Sequence, residues 1–178
     1  AGTGGGSVVC GEGDRFTIFT QGCPHHCAGC HNPQTQAPDG GKLADTTELL
    51  QQILENPLLD GVTFSGGEPF LQAKALALLG RELKDRGLNL TVYTGYTLEE
   101  LQAMADPAVE ALLAVTDVLI DGRFILAERD LTLQFRGSRN QRLIDMPATR
   151  SAGHVVLKKF SDCKIADLLG RRFFLRSA

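Results

Sequence analysis

The chain has 178 residues, 18 Lys and Arg against 21 Asp and Glu for a net charge of -3, and is 43% hydrophobic and 22% charged. That is length for one domain with a sizeable core and no need of disulfide staples. The mixture excludes disorder as the main state, a dedicated nucleic-acid or membrane-surface binder, and, with no apolar run near the ~20 residues required, a membrane span.

In chain order, residues 1–7 (AGTGGGS) are expected to be a linker or an expression remnant, with a single domain over 8–178. Phe16–Thr20 (FTIFT), β-branched and aromatic between Arg15 and Gln21-Gly22, reads as a strand. Asp45 with Glu48 three residues on is a capping-box signature. It opens a helix with Leu49, Leu50, Ile53 and Leu54 on one face, stopped at Asn56-Pro57. Gly61–Phe64 is a second strand and runs straight into Ser65-Gly66-Gly67-Glu68-Pro69. A longer helix is predicted over Leu71–Arg86, burying Leu71, Ala75, Leu78, Leu79 and Leu83 and stopped by Gly87. Leu90–Thr94 is a third strand, turned by Gly95-Tyr96. Thr97 with Glu100 caps the next helix, and Asp106-Pro107 starts one carrying Val109, Leu112 and Leu113. Val118–Asp121 is a fourth strand and Gly153–Lys158 a later one.

Strands alternating with helices imply right-handed βαβ units, a parallel sheet and an α/β fold. The units are too few for eight strands, so an incomplete barrel or open curved sheet is expected. Four strands end in polar or glycine-bearing loops: Gln21-Gly22-Cys23, Ser65-Gly66-Gly67-Glu68, Thr94-Gly95 and Asp121-Gly122. Ligands of parallel α/β folds bind at the carboxyl ends of strands, so the chemistry-bearing residues gather at one edge.

Cys23, Cys27 and Cys30 form C-x3-C-x2-C directly after the first of these strands. Thiolates so spaced on a tight loop with Pro24 and Gly29 can converge on one inorganic centre. Three is the informative count, because structural zinc and most iron–sulfur clusters take four protein ligands. A cubane held by three would leave its fourth iron open to a small chelating ligand. The alternative is zinc, its shell completed by His25, His26, His31 or Cys10. Cys10 and Cys163 otherwise read as small apolar side chains. His25 and His26 read as solvent-exposed loop residues, and the arginines from Arg123 to Arg150 as a solvated face. The odd total of five cysteines, three within eight residues, is not a secreted disulfide pattern, and no signal peptide is visible. A reducing, cytoplasmic address is expected.

On this cysteine trio the sequence resembles the radical S-adenosylmethionine (SAM) superfamily. Ser65-Gly66-Gly67-Glu68-Pro69 stands where that superfamily has its G-G-E-P motif. By itself the motif is a turn before a helix, with Glu68 favourable to the dipole. His31-Asn32-Pro33 after Cys30 is similar to the glycyl-radical-enzyme activating enzymes. Thr94-Gly95-Tyr96, Asp117–Phe124 and Arg136–Arg142 (RGSRNQR) resemble the branch acting on anaerobic ribonucleoside-triphosphate reductases.

The resemblance covers roughly Val8–Ile144 and implies an incomplete (βα)6-like partial barrel with mainly parallel strands. It implies a [4Fe-4S] cluster on Cys23, Cys27 and Cys30 and SAM as second cofactor. One electron then cleaves the sulfonium to methionine and a 5′-deoxyadenosyl radical, which abstracts hydrogen from a glycine of a large partner. A reduced flavodoxin or ferredoxin-type protein would donate the electron. Gly29 and His31 would contact SAM near its adenine, and Gly66, Gly67 and Glu68 its methionine amino group. Asp121 would reach the amino group or ribose and Arg123 the carboxylate, with Thr94 and Asn140 as further contacts. Gln36 stands where this branch often has tryptophan. The rival readings are activation of another glycyl radical enzyme, a small-molecule radical SAM enzyme such as 7-carboxy-7-deazaguanine synthase, and a zinc-bound interaction module.

Overall fold

The computed structural model of the chain describes residues 2–4 and 13–159. Cys10, Cys163 and the tail beyond Lys159 lie outside the described residues. One six-stranded sheet keeps its strands in chain order: β1 (Gly2–Gly4), β2 (Arg15–Thr20), β3 (Gly61–Gly66), β4 (Asn89–Tyr93), β5 (Val118–Asp121) and β6 (Arg142–Asp145). β2 to β5 pair in parallel, and β1 and β6 add antiparallel edges. The helical crossovers are α1 (Thr46–Leu54), α2 (Ala73–Asp85) and the pair α3 (Leu98–Ala103) and α4 (Pro107–Val115), and α5 (Met146–Ala152) follows β6. The expected α/β architecture with a mostly parallel sheet is therefore present.

Local chemistry sets the boundaries. Asp45 accepts from Thr47 N and Glu48 N at the start of α1. Thr97 and Glu100 complete a reciprocal capping box on α3, and Asp106 accepts from Ala108 N beside Pro107 on α4. Val62, Phe64, Leu90, Val92 and Leu119 carry the core through the central strands, where they meet Leu83 of α2 and Leu112 of α4. At the amino ends of the strands a buried Arg15 donates to Thr63 Oγ1, Val62 O, Asn89 O and Asn89 Oδ1, so one cation ties β2, β3 and β4 together. Satisfying its donors is what makes burial of that guanidinium tolerable.

The structure alters four sequence readings. Gly2–Gly4, placed in a linker, pairs antiparallel with Thr17–Phe19. The long helix begins at Ala73 after a 3₁₀ turn over Pro69–Gln72, which rotates the buried face to Ala73, Leu76, Ala77, Leu79, Gly80 and Leu83. Leu71 and Leu78 are consequently 55% and 57% exposed, and Ala75 is exposed as well. Gly153–Lys158 is not a strand: Gly153 closes α5 at φ 72, and only Leu157 bridges Ile144. β6 and α5, which the sequence reading did not place, complete the far edge.

Candidate functional site

All four parallel strands run toward one edge, where the loops carrying the singled-out residues meet. The loop after β2 is pinned at its start, because Gly22 N donates to Thr35 O and Cys23 N to Gln36 O. Inside it, Cys30 N donates to Cys27 O, closing a tight turn in which Gly29 has φ 72. Asn32 N donates to Cys30 Sγ at 3.4 Å. Cys23, Cys27 and Cys30 are all free thiols of intermediate exposure. Among the described residues no three His, Cys, Asp or Glu side chains converge around a single metal ion. Burial pushes the Cys23 thiol pKa up against the pull of the His25 amide, and the negative charge of Glu68 adds to the rise.

Gly66 and Gly67 bring β3 close to this loop. Gly67 N donates to Thr20 O and Glu68 N to Gly22 O. A Cβ on Gly67 would lie 2.3 Å from Gly22 O, and one on Gly66 would lie 2.6 Å from Thr20 N. Backbone is the obstacle in both places, so neither side chain nor rotamer could give way. With its N–H already used, Gly67 would meet a ligand's amino group through its carbonyl.

Glu68 has a different employment from the one expected. Its side chain is 0% exposed and accepts from Phe70 N, Thr94 Oγ1, Gly95 N and His25 Nε2. Four donors of one carboxylate exhaust its usual acceptor sites. Thr94 is committed to the same network, donating to Glu68 and accepting from Tyr96 N. His25, read as an exposed loop residue, has a side chain only 3% exposed. His26 is exposed and takes φ 48.

Asp121 is likewise 0% exposed and occupied. Leu98 N donates to it at the head of α3, and Arg142 Nε and Nη2 donate to both its oxygens. Arg142 extends the network to Glu99, whose carboxyl it holds below the usual range. In this structure Asp121 is thus committed to internal partners at the edge. Arg150, too, is structural, donating to Leu113 O and Thr116 O.

Other candidates remain available at the same edge. Arg123 is exposed and, among the described residues, has no ion-pair partner. Asn140 Nδ2 donates to Arg123 O, while its Oδ1 is buried without a partner. Gln141, which the sequence reading did not single out alone, accepts from Gly137 N and Ser138 N and donates to Gly122 O. It fastens the RGSRNQR segment to the end of β5. His31 is exposed and stands against Phe124, ring centroids 5.0 Å apart, and Gly137 leaves room for both.

Three free, half-buried thiols on one tight loop are the donor type that an iron–sulfur cluster takes, although in this structure they do not converge on one point. The buried unpartnered Asn140 oxygen and the unpaired Arg123 guanidinium are complementary to an ammonium and a carboxylate. Of the imidazoles that would complete a zinc shell, His25 has its Nε2 committed to Glu68.

Known proteins are similar to this chain. A family model described as a 4Fe-4S single cluster domain matches residues 9–144. The anaerobic ribonucleoside-triphosphate reductase-activating protein of Haemophilus influenzae is 39% identical over 146 residues, which cover 75% of this chain and 89% of that protein. Its namesake from Vibrio cholerae is 38% identical over 146 residues, with the same coverage. The Escherichia coli K12 protein of that name is 33% identical over 144 residues, covering 75% of this chain and 90% of its own.

Proposed function

Because this chain belongs to the family of anaerobic ribonucleoside-triphosphate reductase-activating proteins, with their 4Fe-4S domain, we propose that it is a radical SAM activase that places a glycyl radical on such a reductase. The observation that carries this reading is the trio of free, half-buried thiols at the carboxyl edge, against the paired glycines that end β3. Cys23, Cys27 and Cys30 would hold the [4Fe-4S] cluster. Cluster and SAM together supply one electron and a fragment able to abstract hydrogen.

The chain's own residues bind and shield. Gly66 and Gly67 would offer carbonyls to the methionine ammonium, Arg123 a cation to its carboxylate, and Asn140 Oδ1 a buried acceptor. Gly29 and His31, beside Leu126 and Phe124, would border the adenine. Glu68, Thr94 and Asp121 hold these loops in place. The four parallel strands with their helical crossovers are, in this reading, the part of an incomplete barrel that faces the cofactors. Its open side admits a partner loop bearing glycine, whose α-hydrogen no side chain shields. A reduced flavodoxin or ferredoxin-type donor in the cytoplasm completes the scheme. No helix among the described residues is long and apolar enough to cross a membrane.

The test is direct. Protein purified without oxygen should be brown, contain iron and sulfide, and cleave SAM when reduced. Mixed with SAM and the reductase of its own organism, it should yield a glycyl doublet by electron paramagnetic resonance (EPR). Colourless protein with stoichiometric zinc would refute the reading. Turnover of a pterin-like substrate without a doublet would move it to the small-molecule enzymes.

A further inference from the structure

The loop after β2 is fastened to the ends of β3 and β4 through one imidazole. His25 Nε2 lies 2.8 Å from Glu68 Oε2, and the ring stands edge-on to Tyr96 with centroids 4.4 Å apart. The ring also fills the space left by Gly95, where a Cβ would lie 2.3 Å from His25 Cδ2. Glu68 meanwhile takes donors from Thr94 and Gly95, so one carboxylate joins three strand-end loops. None of these contacts requires a histidine for the packing alone, since any flat ring would fill the gap. What the histidine adds to the packing is a donor on Nε2 for Glu68 Oε2.

We propose that His25 is a positioning residue: by hydrogen-bonding Glu68 it fixes the cysteine loop and screens a buried carboxylate from the cluster. This rests on the activase reading above. Glu68 N donates to Gly22 O and its carboxylate accepts from His25, the residues that flank Cys23-Pro24, so its charge lies beside the loop where the cluster would sit. With one donor fewer, that carboxylate would project a more negative potential there and make adding an electron harder. The positioning role and the electrostatic role are read by the same variants.

Wild type, His25→Gln, His25→Ala and Gly95→Ala are reconstituted anaerobically, assayed for iron and sulfide, and titrated potentiometrically with the cluster EPR signal as readout. His25→Gln, whose side-chain amide can still donate to Glu68, should keep the wild-type iron content and midpoint. His25→Ala should lower the reduced-to-oxidised ratio at fixed potential tenfold, a shift of about 59 mV to the negative for one electron. Gly95→Ala, which displaces the ring while leaving every residue of the cysteine loop as it is in sequence, should shift in the same direction. Loss of the cluster from His25→Ala with retention in His25→Gln also supports the assignment, because all three thiols are intact. Unchanged midpoints and EPR signals in both His25→Ala and Gly95→Ala overturn the proposal and leave the activase reading standing. A wild type that holds no iron–sulfur cluster overturns both.

Discussion

Arg142→Met keeps the aliphatic stem of that side chain and removes its guanidinium. Four hydrogen bonds disappear, two to Asp121 and two to Glu99. The Glu99 pair is worth about 0–1 kcal/mol, since its carboxylate side is 56% exposed and water replaces the lost donors. The Asp121 pair dominates, because that carboxylate is 0% exposed and, among the described residues, keeps Leu98 N as its one remaining donor. Stranding a buried charge costs about 3–5 kcal/mol, and the 31% exposure of Arg142 argues for the low end, giving a total of about 3 kcal/mol. At roughly 2–4 °C per kcal/mol for a chain of this size, the melting temperature should fall by about 6–12 °C. Thermal and urea unfolding of the apoprotein under anoxic, reducing conditions measures it. Asp121→Asn combined with Arg142→Met should cost less than the sum of the singles by about 2 kcal/mol. A single variant within about 1 kcal/mol of wild type, or an additive cycle, would refute the claim that Arg142 holds Asp121, and would return that aspartate to the ligand.

Gly67→Ala places its Cβ 2.3 Å from Gly22 O, so it should destabilise the apoprotein by about 2 kcal/mol or more, read by urea unfolding. Cys27→Ala should abolish iron and sulfide retention while the apoprotein unfolds within about 1 kcal/mol of wild type, measured by metal analysis and denaturation. The Glu99 carboxyl, ordinarily at 4.5, is held lower in the fold by Arg142, so its contribution is complete above that value and is lost as pH falls through the lowered one. Nuclear magnetic resonance titration should find it lowered in wild type and back in the ordinary range in Arg142→Met.

Features written in local chemistry were legible in the sequence. Asp45, Thr97 with Glu100, and Asp106-Pro107 each cap the helix they announced, because a cap needs only residues within one turn. The same signature, Asp145 followed by Pro147 and a terminal Gly153, starts and stops α5 and was passed over behind a polar loop. Gly153 before Val155 and Val156 fits a strand as well as a helix stop until the chain's course is known. The cysteine trio and the glycine pair were readable as a site because their spacing carries the chemistry. What the sequence hides is who holds whom. Glu68 and His25 are 43 positions apart, and Asp121 and Arg142 are 21 apart. Both buried carboxylates take internal partners, and no single-residue pattern signals that pairing.

The spatial order of the strands repeats the order in which the ribosome delivers them. Each parallel strand therefore finds its neighbour already laid down, and none has to wedge between two others that are waiting unpaired. Assembly can proceed as synthesis does, from the amino-terminal side onward. The sulfur-bearing connection leaves the ribosome among the earliest segments but acquires its walls one crossover at a time. The antiparallel strand that carries Arg142, the partner of Asp121 at the same edge, is the last of the six to arrive. A nascent chain thus carries its three thiols before the later strands of the sheet have been laid beside them.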